Sequence, residues 1–268
     1  MNQPRLGIDP EQYMPLAEQI ASWRQQLDRP LVQGVVGGQG TGKTTLCRIL
    51  VALLGSLGYR ALAVSLDDFY KTYAARQADR RFIWRGPPGT HDLDLAIAAL
   101  DQLRSGQSAA IPHFDKSAHQ GMGDRTGWIT TQSADIVLFE GWFVGVRPVP
   151  ETAFDQPPDP INTEADRQFA LTVNQELNAY LPLWERLDRL ILLQPQDYHW
   201  SKPWRAQAET ALGQSGMTPD QVNQFVTYFW QAIHPELFIP PLIEDGIDLV
   251  LTIGAEHQLI SSQRLSSD

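Results

Sequence analysis

A chain of 268 residues, 43% of them hydrophobic, can bury a full core, and a formal net charge of −10 with no long Lys/Arg run argues against a nucleic-acid or anionic-membrane surface. The single cysteine, Cys47, excludes an intramolecular disulfide and suits a reducing compartment. No segment approaches the roughly 18 consecutive apolar residues of a membrane span, and the opening residues resemble neither a secretory signal nor a transit peptide, so the expectation is a cytoplasmic protein that meets neither membrane nor nucleic acid.

Asp9-Pro10-Glu11-Gln12 has the form of an N-cap, a first-turn proline and a capping-box glutamine, which predicts a helix to about Leu27 within an N-terminal segment 1–30. Leu31 to Val36 is a short β-branched run, read as a buried strand; a helix follows from Lys43 to about Leu57, stopped by Gly58. Cys47 falls on that helix, where a buried, inert thiol is expected. Tyr59 to Leu66 reads as a second strand. Asp92 caps a helix with Leu93, Ala96, Ile97, Leu100 and Leu103 on one face, ended by Gly106. Asp135 to Phe139 is a third strand, followed by a proline-rich excursion from Pro148 to Pro160. Phe169, Val173, Leu177, Leu181 and Trp184 mark an amphipathic helix broken near Pro182. Leu190 to Leu193 is a fourth strand, Thr218 opens a capped helix to Ile233, and Asp248 to Ile253 is a fifth strand. Apolar strands alternating with helices imply an α/β fold with a parallel sheet covered on both faces, organised as a single domain.

Gly37-Gly38-Gln39-Gly40-Thr41-Gly42-Lys43-Thr44, with Thr45 behind it, satisfies G-x-x-x-x-G-K-[ST] between a strand and a helix. Such a loop curls its N–H groups inward around phosphate oxygens, with the helix N-terminus adding a favourable dipole. The expected ligand is ATP, with Lys43 reaching the β- and γ-phosphates and the Thr44 hydroxyl on Mg²⁺. Ser65-Leu66-Asp67-Asp68-Phe69-Tyr70 places two acids at the end of the second strand, beside the loop. Asp67 is the candidate to accept a substrate hydroxyl's proton and to sit near the metal. Glu140, ending the third strand, is a second candidate on the metal side or toward a substrate hydroxyl.

SLDDFY together with EGW resembles the small-molecule P-loop kinases, the group of uridine kinase, phosphoribulokinase and pantothenate kinase. Within it, the blocks Trp84 to Leu93, Pro112 to Arg125, Glu140 to Gly145, Val173 to Tyr180 and Trp204 to Glu209 resemble the D-glycerate 3-kinases of plants, fungi and cyanobacteria. The resemblance runs from about Val32 to about Leu242. It implies a P-loop NTPase fold with a five-stranded parallel sheet in the order 2-3-1-4-5, a substrate-binding insertion over 69–134 and a lid over 195–217. It implies transfer of the ATP γ-phosphate to the C3 hydroxyl of D-glycerate, as in photorespiratory glycolate salvage, by a monomer or homodimer. Asp67 matches the base in the family's S-x-D-x-F pattern, with Asp68 behind it. Arg85, His91, Lys116 and Arg125 are the basic members of the matching blocks and candidates for the substrate carboxylate. Lys202 and Arg205 fall where such kinases carry a lid, and Arg205 is the candidate lid arginine. Gly38 replaces a bulkier residue of the family's loop. The rival expectations are a kinase of the same architecture acting on a nucleoside, a sugar phosphate or pantothenate, and a nucleotide switch; the latter needs a guanine-reading N-K-x-D where this chain has Gln194-Pro195-Gln196-Asp197.

Overall fold

A computed structural model describes residues 10–211 and 217–265. The proposed N-cap Asp9 and part of the 195–217 lid segment, residues 212–216, lie outside the described residues. After a 3-10 turn at Pro10–Tyr13, helix α1 is Met14–Gln25; then come β1 (Leu31–Gly37), α2 (Lys43–Ser56), β2 (Ala61–Ser65), α3 (Tyr73–Ala78) and α4 (Leu93–Arg104). The middle of the chain supplies β3 (Ala110–Asp115), β4 (Asp124–Thr130), β5 (Ile136–Gly141), α5 (Glu164–Glu176), α6 (Leu181–Trp184) and β6 (Arg189–Pro195). The remainder is α7 (Ser201–Ala211), α8 (Pro219–Ala232), α9 (Pro235–Gly246), β7 (Leu249–Ile253) and β8 (Leu259–Arg264).

Among the described residues the main sheet runs β2-β5-β1-β6-β7-β8. Its first five strands are parallel and keep the expected 2-3-1-4-5 order. The sheet is not five-stranded, because β8 adds an antiparallel edge on β7. β8 is mostly polar and exposed, so it lacks the apolar run that marks the inner strands. A separate antiparallel pair, β3 and β4, stands inside the 69–134 segment and was not expected from the sequence.

Strand side chains alternate between two cores, as the pleat requires. Leu31, Val35, Ile136, Leu138, Ile191 and Leu193 meet α1 and α2, while Val32, Val36, Val137, Phe139 and Leu192 meet the layer of α4, α5 and α9. Cys47 is buried in the first of these, and burial pushes its thiol pKa up, as expected of an inert packing residue. A third, small cluster of Val222, Val226 and Trp230 joins α8 to α7.

Candidate active site

The loop after β1 begins with Gly37 packed into the sheet edge, where a Cβ would come within 2.8 Å of Leu193 O. Gly40 and Gly42 have φ of +77° and +92°, a region other residues enter at a cost. Gly42 caps α2, and Leu46 N donates to Gly42 O at 2.9 Å, so the first turn of the helix points its remaining N–H groups back into the loop. Thr41 Oγ1 and Lys43 Nζ each donate to Gly38 O at 2.9 Å. The half-buried Lys43 has its pKa lowered by desolvation, against which Glu140 and Asp67 pull upward. Gly38 opens toward free space, its nearest neighbour for a Cβ being Thr41 Cγ2 at 3.9 Å. Gln39 and Gly38 also border a mostly apolar recess that runs to Leu192, Trp142 and Phe229.

Two strand ends, those of β5 and β2, bring the acids to this loop. Thr44 Oγ1 donates to Glu140 Oε1 at 2.9 Å, tying the first turn of α2 to the end of β5. Thr45 lies one step along the same turn, half-buried. After β2, Ser65 caps a 3-10 turn at Leu66–Phe69: its Oγ accepts from Asp67 N at 3.3 Å, and Asp68 Oδ2 accepts from Ser65 N at 3.4 Å. This turn separates the adjacent acids, directing Asp68 back to the main chain and Asp67 outward.

Asp67 Oδ2 accepts from Lys116 Nζ at 2.6 Å and Oδ1 from Tyr70 OH at 2.8 Å. Burial favours the protonated acid, but Lys116 and Tyr70 outweigh it and hold the carboxyl well below the usual range. Asp68 goes the other way: burial, with a further push from Asp67, raises it to about 6 despite the Ser65 amide. His91 is buried and stacks on Tyr70, ring centroids 4.3 Å apart. Its Nδ1 meets Tyr180 OH at 2.8 Å; its Nε2 has no partner among the described residues, and burial pushes its pKa down to about 3.

The other basic residues divide by what already holds them. Arg125 donates through Nε to Tyr70 O at 2.8 Å and through Nη2 to Asp92 Oδ2 at 3.0 Å, bracing the strand-to-helix connection that carries Asp67. Asp92 is also the N-cap of α4, accepting from Leu95 N at 3.4 Å. Arg85 donates to Gly121 O and lies over the Phe114 ring at 5.7 Å. Arg205 does not join this group: Nη2 is 2.5 Å from Glu209 Oε1, and its guanidinium lies over Phe225 at 4.8 Å. The Lys202 ammonium sits over Trp230 at 4.6 Å.

Tyr70 and Arg76 were missed by the sequence reading. Tyr70 was signalled only as the last letter of SLDDFY. Arg76 is buried and donates to Met122 O at 2.7 Å and Gly123 O at 2.6 Å, fastening α3 to the turn of the β3–β4 hairpin that delivers Lys116. Nothing in its local sequence separates it from the exposed arginines nearby.

The arrangement thus offers a glycine loop leading into a helix N-terminus, a lysine, a hydroxyl beside a carboxylate, and an ionised aspartate within electrostatic reach of that lysine. Among the described residues no cluster of three or more His, Cys, Asp or Glu could hold a metal ion, and no helix is long and apolar enough to cross a membrane.

Comparison with known proteins agrees with this fold. The family model described as Phosphoribulokinase / Uridine kinase family matches residues 32–150. The chain is 33% identical over 254 residues to the chloroplastic D-glycerate 3-kinase of Arabidopsis thaliana, covering 85% of this chain and 53% of that protein, so it spans about half the plant protein's length. It is 31% identical over 218 residues to an uncharacterized kinase of Schizosaccharomyces pombe, covering 75% of this chain and 79% of that one. The solved D-glycerate 3-kinase of Cryptococcus neoformans superposes with a TM-score of 0.84 at 28% identity, covering 96% of this chain and 99% of that one.

Proposed function

Because this chain belongs to the phosphoribulokinase and uridine kinase family, we propose that it transfers the γ-phosphate of ATP to the C3 hydroxyl of D-glycerate, giving 3-phosphoglycerate and ADP. The observation that carries the reading is the pairing of Asp67 with Lys116, both near enough to act on the charge of Lys43 in the glycine loop. The family makes it a kinase; the extent of the likeness to D-glycerate 3-kinases supports the acceptor.

In this reading the loop amides and Lys43 hold the β- and γ-phosphates. Thr44 and Glu140, whose oxygens meet at 2.9 Å, would hold Mg²⁺, and two protein oxygens suit an ion that is bound through few side chains. Bound there, Mg²⁺ would neutralise charge on the phosphates. Asp67 also stands on the metal side, though both its oxygens already carry partners. The acceptor carboxylate is met by Lys116 and Arg85, with His91 and Arg125 lining the approach. Asp67 orients the C3 hydroxyl in line with the γ-phosphate and takes its proton as the bond forms. Phosphoryl transfer through a loose transition state asks little of the base until late, which suits a carboxylate kept ionised. Arg205 would contribute only by leaving Glu209 as the lid closes over the triphosphate, so its role is the least supported by the geometry. The whole chain then acts as one unit, 69–134 handling the acceptor and 195–217 the lid, in the cytoplasm, with glycolate salvage as its setting.

An ADP-release assay across D-glycerate, L-glycerate, uridine, pantothenate and ribulose 5-phosphate tests this. Turnover should require D-glycerate. A strong signal with uridine and none with D-glycerate would move the chain to another branch of the family, and ATP hydrolysis indifferent to acceptor would point to a switch.

A further inference from the structure

At the turn between β7 and β8, His257 adopts φ +61°, a left-handed backbone unusual for a residue with a side chain. Its Nε2 lies 2.8 Å from the main-chain oxygen of Gly40 in the glycine loop. A carbonyl only accepts, so the imidazole carries a proton on Nε2 and donates. The ring also packs on Trp204 of α7, centroids 4.3 Å apart. The Trp204 indole returns to the same turn, donating to Ala255 O at 2.8 Å. A Cβ at Gly40 would come within 2.7 Å of Trp204 Cβ, so Trp204 abuts the loop at this residue. Two segments remote in sequence, the β7–β8 turn and α7, therefore converge on one peptide of the phosphate loop.

A trans peptide points its C=O and its N–H in opposite directions. Holding Gly40 O outward turns the Thr41 N–H inward. There it approaches Gly38 O at 3.5 Å, the oxygen that also takes Lys43 Nζ at 2.9 Å. The amide and the ammonium thus share one acceptor, the Gly38 carbonyl, and a phosphate oxygen that takes its place would be met by both.

We propose that His257 is a positioning residue for nucleotide binding: by fixing the Gly40–Thr41 peptide against Trp204 it aims the Thr41 amide at the phosphates. This rests on reading the loop as a nucleotide site, and the experiment separates the two. Calorimetric titration of Mg·ADP into the full chain is compared for wild type, His257→Gly and His257→Gln. Glycine tolerates the left-handed backbone while removing the donor; glutamine places an N–H near the position of Nε2. His257→Gly should weaken ADP about tenfold, the scale of one hydrogen bond to a charged ligand, and raise KM for ATP by a similar factor with KM for D-glycerate unchanged. His257→Gln should recover most of the loss. Should the glycine variant fail to fold, His257→Leu, which keeps bulk against Trp204 without a donor, takes its place. Wild-type ADP affinity in the donorless variant, or equal losses in the donorless and glutamine variants, would overturn the proposal. A wild-type chain that takes up no ADP would bring down the nucleotide reading and this inference with it.

Discussion

Asp67 sits under two opposed pressures. Partial burial, its side chain being 27% exposed, penalises charge, yet Lys116 and the Tyr70 hydroxyl keep it ionised. Asn at this position keeps the size and an acceptor oxygen but cannot take a proton. Asp67→Asn should lower kcat by about 10² to 10⁴ while Mg·ADP affinity barely moves; steady-state kinetics beside a binding titration measure both, and unchanged turnover would remove the assignment. The neighbouring Asp68 behaves differently because the Ser65 cap turns it inward. Its folded pKa, raised to about 6 from 3.8, means that the native state holds the proton more tightly than the unfolded chain. The stability it contributes is therefore present below pH 3.8 and lost as pH climbs through 6. Asp68→Asn should gain stability relative to wild type between pH 4 and pH 7, read as the difference in urea midpoints; a pH-independent difference would contradict the shift. The doublet itself was visible in the sequence. Which acid faces the loop was decided by a capped 3-10 turn only four residues long, too short for periodicity to reveal.

At the level of elements, legibility followed the caps. Helix α8 begins where Thr218-Pro219-Asp220-Gln221 placed it, with Thr218 N donating to Gln221 Oε1 at 2.9 Å and Gln221 N to Thr218 Oγ1 at 3.3 Å. Helix α9 was missed because Pro240 and Pro241 stand inside it, and prolines read as a stop. The amphipathic stretch of α5 breaks at Leu177–Tyr180, earlier than expected, and Pro182 instead sits in the first turn of α6, where its missing N–H costs nothing. The β3–β4 hairpin escaped notice although it carries Lys116: β4 is largely exposed, so its residues show no buried run. Thr218→Ala removes one half of the α8 capping box and should cost about 1 kcal/mol by denaturant unfolding. Since α8 shares its small apolar cluster with α7, loss well above that would mean the cap also orders α7.

For the molecule as a whole, topology does the assembling. β1 lies between β5 and β6 in the sheet, so the loop leaving β1, the Glu140 end of β5 and the turn after β2 all open into the crevice at the carboxyl ends of the strands. That much followed from strand order and the glycine motif. The electrostatics did not: a chain of net charge −10 nonetheless gives residues 69–134 eight Lys/Arg against six Asp/Glu, and Lys116, Arg76 and Arg85 from that stretch gather around Asp67 and Tyr70 only through the tertiary fold. Overall acidity keeps polyanions away, while the local excess suits a small anionic acceptor. The account therefore stands or falls on where the phosphoryl group goes. Phosphorus NMR of the full chain with ATP, Mg²⁺ and D-glycerate should show 3-phosphoglycerate growing in step with ADP; a phosphate on the C2 oxygen, free phosphate without ester, or no consumption of ATP would contradict it.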